Sequence, residues 1–147
     1  MDNVILNFYS KIPSLNVSRE TCNELEKLIS MISEKNKEIN LISKKTSEKA
    51  IIRNRHIIDS AQIIDFVDIN SNTSYDLGSG AGLPGIVVAI VMKNLKIDMK
   101  VSLFEKSYHK CVFLKDVSKE LNLNTEVIQK DIFTLKNMET GTVMSRA

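Results

Sequence analysis

The sequence predicts an α/β fold built on a parallel β-sheet, and three observations support this prediction. A glycine-rich loop at residues 76–85, DLGSGAGLPG, lies between a short extended segment and an apolar run. After residue 73, segments of strand character alternate with segments of helical character, as in successive βαβ units with right-handed crossovers. Before residue 70, apolar residues recur at helical spacing instead. We therefore expect one structural unit with two parts, a helical extension at residues 1–72 and an α/β part at residues 73–147.

The helical extension predicts two helices. Ser18 is a candidate N-cap for the first helix, and the apolar residues that follow it share one face. These residues are Cys22, Leu25, Leu28, Ile29 and Ile32. A second helix is expected to begin near Thr46 or Ser47. Because each helix has an apolar face to cover, we expect the extension to lie against other elements.

The α/β part predicts a Rossmann-like parallel sheet with helices on both faces. The apolar run at residues 86–92 is long enough for a buried helix, and apolar residues recur at helical spacing from Cys111 to Leu121. Strands are expected at residues 73–77, 101–104, 126–128 and 142–144.

The glycine loop has the features of a ligand-binding turn. Gly78, Gly80 and Gly82 allow positive φ angles and a close approach of a ligand to the backbone. Residues 80–85 also match the G-x-G-x-x-G spacing of dinucleotide-binding loops. Asp76 favours a different ligand, because an anion at the end of the first strand repels a pyrophosphate but attracts the cationic amino-acid end of S-adenosylmethionine. The loop therefore predicts S-adenosylmethionine as cofactor, with an NAD(P)-binding oxidoreductase as the alternative.

Two acidic residues follow the next two strands. Glu105 ends the second strand, where a carboxylate can accept hydrogen bonds from both ribose hydroxyls of either cofactor. Asp131 follows the third strand, where a contact to adenine is expected, and Ile132 and Phe133 can enclose the base. A turn aspartate followed by two ordinary core residues fits the same pattern equally well.

Several cations are candidates for contact with a substrate. Arg146 follows the fourth strand at the carboxyl edge of the sheet, where such folds bind ligands. His56 and Arg55 are further candidates for orienting a substrate, although a structural role for His56 near a helix end is the simpler interpretation. A basic segment can contact RNA phosphates or form a solvated helix face. Its members are Lys44, Lys45, Lys49, Arg53 and Arg55.

Composition excludes several classes of protein. With 147 residues, of which 43% are hydrophobic and 26% charged, the chain is expected to be a single soluble domain. The formal net charge of +2 does not by itself indicate a nucleic-acid partner. Cys22 and Cys111 lack the spacing of a zinc site or a disulfide framework, so no metal is expected. Without a signal peptide or a long apolar run, we expect no membrane association and a cytoplasmic location.

Together these motifs resemble the bacterial 16S rRNA guanine-N7 methyltransferases, also called the glucose-inhibited division B family. The likeness rests on the glycine loop with its LPG extension and on four further segments. These segments are residues 40–42, 55–60, 110–114 and 145–147. The resemblance implies S-adenosylmethionine-dependent methylation of N7 of a guanine, position 527 in the 530 loop of 16S rRNA. The partner would be naked 16S rRNA or the small ribosomal subunit.

The resemblance also implies which residues contact the cofactor: Gly78, Leu83, Ile132, Phe133 and Arg146. The family usually has an acidic residue where Phe133 stands, so we expect backbone contacts to adenine there rather than a polar side-chain contact. With the residues inferred from the loop and strand ends, the expected cofactor site has ten members. They are Asp76, Gly78, Gly80, Gly82, Leu83, Glu105, Asp131, Ile132, Phe133 and Arg146.

The implied chemistry needs no general base. Guanine N7 carries an in-plane lone pair and no proton, so proximity and in-line geometry can supply most of the catalysis. Neither His56 nor His109 has sequence partners typical of a catalytic triad. No catalytic residue is therefore assigned.

The number of strands differs from the resemblance. Sheets of this type resemble a seven-stranded array, and only four strands are predicted before Ala147. We therefore expect the last strands to be absent, the fourth strand to have an open edge, and activity to be weak or absent relative to a longer chain. A non-catalytic remnant that binds cofactor or rRNA is a third alternative.

Overall fold

A computed structural model describes residues 9–10 and 18–146 of the chain. Residues 1–8, where no signal peptide is expected, and Ala147 lie outside the described residues. Strands β1 (Thr73–Leu77), β2 (Lys100–Glu105), β3 (Thr125–Gln129) and β4 (Thr142–Ser145) form one sheet in the order β3-β2-β1-β4. All three pairings are parallel. The predicted parallel sheet and its four strands are confirmed.

The strand register brings the carboxyl ends of neighbouring strands together. Leu77 at the end of β1 lies beside Phe104 of β2 on one side and Ser145 of β4 on the other. Glu105 at the end of β2 lies beside Gln129 of β3. The segments that leave these strands therefore meet at one edge of the sheet.

Helix α1 (Arg19–Lys35) begins where the sequence predicts. The Ser18 hydroxyl accepts a hydrogen bond from the Thr21 backbone N–H at 3.1 Å, which satisfies a backbone donor of the first turn. The predicted apolar face is fully buried, and one part of it packs on α4 (Gly85–Asn94) and another on α5 (Tyr108–Glu120). The helical extension thus shares a hydrophobic core with the α/β part.

The second helical segment begins later than predicted and is not a regular helix. It comprises α2 (Lys49–Ile51), a π-helical stretch (Ile52–Ile57) and α3 (Ile58–Ala61). The hydroxyls of Thr46 and Ser47 donate to the carbonyls of Ser43 and Lys44. These bonds close a preceding 3-10 turn, so the two residues do not start the helix.

Both connecting helices lie on one face of the sheet. The steps β1–α4–β2 and β2–α5–β3 run in the same direction across the sheet, and crossovers of one hand then place both helices on the same side. We expected helices on both faces. In residues 18–146, α4 and α5 share a face, and α1 covers both of them.

Helix α4 is apolar on all sides because it is enclosed on all sides. Every residue from Gly85 to Met92 is buried between the sheet, α1 and α3. No helix in the described part of the chain is long and apolar enough to cross a bilayer.

The first residue of α4 has no room for a side chain, which yields a stability prediction. A Cβ atom at Gly85 would lie 2.5 Å from both Asp76 Oδ2 and Leu103 Cδ2. Gly85→Ala is expected to lower the free energy of unfolding by about 1–3 kcal/mol, because overpacking outweighs the gain of up to about 1 kcal/mol in helix propensity. Urea denaturation measures the change.

Lys119→Ala, at an exposed position of α5, is the control and should change stability by less than about 0.5 kcal/mol. A Gly85→Ala variant as stable as the original chain would contradict the prediction.

Candidate functional site

The glycine loop adopts the backbone conformation that the sequence predicts. The φ angles of Gly78, Gly80 and Gly82 are +74°, +56° and +84°. The backbone N–H groups of Gly78 and Ser79 both donate to the Phe104 carbonyl at 2.9 Å, which fixes the loop on the end of β2. A Cβ atom at Gly78 would meet nothing within 4 Å, so the loop has an open side at this residue.

Three further backbone N–H groups of the loop donate to groups of the chain. The Gly80 N–H donates to Glu105 Oε2 at 2.9 Å, and the Gly82 N–H donates to the Ser79 carbonyl at 2.7 Å. At the start of α4, the Gly85 N–H donates to Asp76 Oδ2 at 3.0 Å. These three N–H groups are therefore not free for a pyrophosphate, which binds to backbone N–H groups at a helix N-terminus.

Two adjoining cavities meet at the open side of the loop, and Gly78 and Lys110 line both of them. The larger cavity, of about 420 Å³, lies between the loop and the helical extension. The smaller cavity, of about 280 Å³, follows the carboxyl ends of β2 and β3. We treat the two cavities, which share these two lining residues, as one candidate site at the carboxyl edge of the sheet.

Most of the residues predicted for the site line one of these cavities. The larger cavity is lined by Gly78, Gly80, Leu83 and Arg146, and also by the substrate-orienting candidates His56 and Arg55. The smaller cavity is lined by Gly78, Glu105, Asp131, Ile132 and Phe133. Asp76 and Gly82 line neither of the two, and Asp76 is fully buried.

Glu105 connects the loop with the smaller cavity. Its Oε2 accepts from the Gly80 N–H, and its Oε1 accepts from the Ser107 N–H at 2.8 Å. An ionised carboxylate has about four lone-pair sites, so each oxygen can still accept one further hydrogen bond. The contact to ribose hydroxyls stays a prediction that this geometry permits.

Asp131 forms the turn that follows β3. Its Oδ1 accepts from the Phe133 N–H at 3.0 Å and caps the 3-10 turn Ile132–Thr134. The turn alternative thus describes the aspartate, but the two residues after it are not core residues. Phe133 is 91% exposed and Ile132 is half-buried. The turn therefore presents an apolar wall to the smaller cavity.

Asp76 occupies a different environment from the one expected. Its carboxylate is buried beneath the start of α4, and its Oδ1 has no hydrogen-bond partner among the described residues. Burial raises the pKa of Asp76 from 3.8 to about 6, although the bond from the Gly85 N–H opposes the shift. A contact between Asp76 and a cationic ligand stays a prediction.

Arg146 and His56 are brought together although they lie 90 residues apart in the sequence. One guanidinium nitrogen of Arg146 lies 2.8 Å from His56 Nδ1 and 3.3 Å from Asp59 Oδ2. On the other side of the ring, His56 Nε2 lies 3.1 Å from the Thr46 hydroxyl oxygen. Burial and the nearby cations, Arg146 before Arg55, lower the pKa of His56 below its ordinary value of 6.5.

The basic segment divides into an internal part and an external part. Arg53 donates to both carboxylate oxygens of Glu26, at 2.6 and 2.5 Å. Its guanidinium is therefore bound within the chain, whereas the sequence suggested that it could contact RNA. Arg55 is exposed and lines the larger cavity. Lys44, Lys45 and Lys49 are exposed as well.

Some features of the site are not apparent in the sequence pattern. The π-helical stretch places His56 beside Arg146, and nothing in the residue spacing indicates a π-helix. Ser43 and Thr46 line the larger cavity because the turn containing them lies opposite the glycine loop. Lys110 lies in a segment that carries the family resemblance, but its place between the two cavities follows from the fold.

No cluster of metal-binding side chains occurs in residues 9–10 and 18–146.

The parallel sheet, the glycine loop after β1 and the cavities at the carboxyl edge define a Rossmann-like methyltransferase fold. A family model for rRNA small subunit methyltransferase G, or GidB, matches residues 21–147. The chain belongs to this family.

Curated relatives carry the name ribosomal RNA small subunit methyltransferase G. The protein from Pelagibacter ubique is 51% identical over the whole chain, which covers 68% of that relative. The protein from Jannaschia sp. is 34% identical over 89% of the chain and 61% of the relative. The Rickettsia akari protein is 39% identical over 80% of the chain and 58% of the relative. The chain thus spans about two thirds of the length of the relatives it matches. Because the family model and these relatives are methyltransferases, the oxidoreductase alternative is not favoured.

The raised pKa of Asp76 predicts how stability depends on pH. Since the folded pKa of about 6 exceeds the ordinary 3.8, the folded state binds more protons than the unfolded state between these values. Asp76 therefore favours folding progressively more as the pH falls from 7 to 4. Relative to Asp76→Asn, the free energy of unfolding of the original chain should rise by about 2 kcal/mol over this range.

Urea denaturation of both proteins at several pH values measures this difference. The asparagine can still accept from the Gly85 N–H but does not titrate. A difference between the two proteins that is constant from pH 4 to pH 7 would contradict the prediction.

Proposed function

We propose that this chain belongs to an enzyme that transfers a methyl group from S-adenosylmethionine to N7 of a guanine in the 530 loop of 16S rRNA. The observation that carries the proposal is the state of the glycine loop. Five of its backbone N–H groups already donate to carbonyls and carboxylates of the chain, so these five are not free for a pyrophosphate. With the family assignment, this favours a cofactor without phosphates.

The residues at the carboxyl edge fit the parts of S-adenosylmethionine. Glu105 offers carboxylate lone pairs to ribose hydroxyls, and the turn with Ile132 and exposed Phe133 offers an apolar surface to adenine. The open side of Gly78 leaves room for the chain that links nucleoside and amino acid. When bound, S-adenosylmethionine supplies an electrophilic methyl group on a cationic sulfur.

The larger cavity fits a nucleic-acid substrate. Three cationic side chains, Arg55, Lys110 and Arg146, line its wall, and Lys44 and Lys45 are exposed on the turn beside it. Cations in this arrangement neutralise phosphates and position RNA without reading its sequence. His56, the histidine in the cavity wall, is engaged by Arg146 and Thr46. This arrangement agrees with a reaction at N7, which requires no general base.

Calorimetry and methyl transfer test the proposal together. We expect the chain to bind S-adenosylhomocysteine and not NADH. Labelled S-adenosylmethionine is then incubated with small ribosomal subunits and with naked 16S rRNA, and reductive cleavage at N7-methylguanine locates the modified base. Binding of NADH without S-adenosylhomocysteine, or methylation at another atom, would overturn the proposal. Cofactor binding without methyl transfer would favour the non-catalytic alternative.

Glu105→Gln tests the cofactor side of the site. Glu105 accepts hydrogen bonds from the backbone N–H groups of Gly80 and Ser107. A glutamine would place its NH₂ group against one of these two donors, and it removes the negative charge. We expect S-adenosylhomocysteine to bind at least about tenfold more weakly, since hydrogen bonds to a charged acceptor are among the stronger ones. Glu126→Gln, at an exposed carboxylate on β3, is the matched control in the same calorimetric titration. Equal losses in both variants would contradict the assignment.

Arg55→Ala tests the RNA side. Arg55 is exposed in the larger cavity, so its removal should weaken binding of an RNA fragment containing the 530 loop and reduce the slope of log affinity against log salt by about 1. Lys100→Ala is the matched control, because Lys100 is an exposed cation at the amino end of β2. Filter binding at several salt concentrations measures both. A similar change of slope in the two variants would contradict a specific phosphate contact at Arg55.

A further inference from the structure

The hydrogen bonds around His56 determine which of its nitrogens carries the proton. An arginine side chain has only donors, so His56 Nδ1, at 2.8 Å from the Arg146 guanidinium, must be the acceptor. In the neutral ring the proton then lies on Nε2, which donates to the Thr46 hydroxyl oxygen at 3.1 Å. The Thr46 hydroxyl in turn donates to the Ser43 carbonyl at 3.0 Å.

This chain of donors and acceptors runs in one direction from β4 to the helical extension. The two outer links have a fixed direction, because a guanidinium only donates and a carbonyl only accepts, and reversing the His56–Thr46 link would leave a protonated Nδ1 facing the guanidinium. A second guanidinium nitrogen of Arg146 approaches the His56 carbonyl at 3.4 Å. The ring and the backbone of one residue therefore both hold the same guanidinium against the wall of the larger cavity.

We propose that His56, as the neutral Nε2–H tautomer, is a positioning residue that holds the Arg146 guanidinium in place for methyl transfer. The proposal rests on the proposed function for its catalytic consequence, but not for the tautomer itself. His56 does not act on the substrate or the cofactor. Arg146 is the residue that faces the reactants, and its orientation depends on an unprotonated Nδ1.

Protonation of His56 would break this arrangement. A proton on Nδ1 would point at the guanidinium and replace a hydrogen bond by repulsion between two cations. The charged groups around the ring are Arg146 from the end of β4, Arg55 and Asp59 from its own helical segment, and Lys110 in the wall of the same cavity. Among them the cations oppose protonation and Asp59 favours it.

Two substitutions separate the two sides of the ring. Asparagine places its Oδ1 where His56 has Nδ1, so His56→Asn keeps the acceptor for Arg146 and loses the contact to Thr46. Glutamine reaches instead to the position of Nε2, so His56→Gln keeps a partner for Thr46 and loses the acceptor. His109→Gln, at an exposed histidine outside both cavities, is the control.

We expect His56→Gln to lower kcat/KM for methyl transfer by about tenfold or more, and His56→Asn to retain most of it. The acidic limb of the pH profile should be present in the original chain and absent in His56→Asn. Equal activity in the original chain, His56→Asn and His56→Gln would overturn the proposal. So would equal loss in both variants, or better activity in the glutamine variant.

Nitrogen-15 NMR provides a readout that does not require activity. The chain has 2 histidines, so the ring signals of His56 are assigned by comparison with the His109→Gln variant. We expect a fixed Nε2–H tautomer at His56 near pH 7, and averaging between tautomers in Arg146→Ala. A protonated Nδ1, or a tautomer unaffected by Arg146→Ala, would overturn the positioning role. Absence of methyl transfer with the expected NMR result would contradict the proposed function alone.

Discussion

The buried carboxylate of Asp76 is the constraint on which the site depends. It lies at the end of β1 and accepts the Gly85 N–H at the start of α4, so strand and helix meet at one hydrogen bond. The contact is so close that residue 85 can have no side chain. Burying an anion is costly, as the raised pKa of Asp76 shows. In return, the length and path of the glycine loop between the two elements are fixed.

The site is formed where the strand register and the helical extension meet. Parallel pairing brings the ends of β1, β2 and β4 side by side, which places the glycine loop, Glu105 and Arg146 at one edge. The strands alone would leave this edge open on one side. The turn at Lys44–Thr46 and the π-helical stretch form the facing wall, and they contribute both cations and the partners of Arg146. The extension is therefore part of the site.

Local signals in the sequence predicted the parts of the structure that depend on neighbouring residues. The alternation of strand-like and helix-like segments predicted the strands, and Ser18 marked the start of α1. The three loop glycines adopt positive φ angles, which few other residues tolerate. Contacts between residues far apart in the sequence could not be predicted from local signals. The charge of Arg53 suggested RNA, but Glu26, far away in the sequence, neutralises it. Asp76 looked like a ligand contact, yet its depth in the core depends on how α4 packs. In both cases tertiary packing sets the environment of the side chain, and a contact of Asp76 with a ligand stays a prediction.

The internal hydrogen bonds of the glycine loop have a consequence for turnover. Because carbonyls and carboxylates of β1, β2 and the loop hold its backbone, its conformation does not depend on a bound ligand. Under the proposed function, binding of S-adenosylmethionine and release of S-adenosylhomocysteine would then require little rearrangement of the main chain, and each binding event would lose little ordering entropy. With the loop already ordered, binding and release of the large RNA substrate would limit the rate of each catalytic cycle.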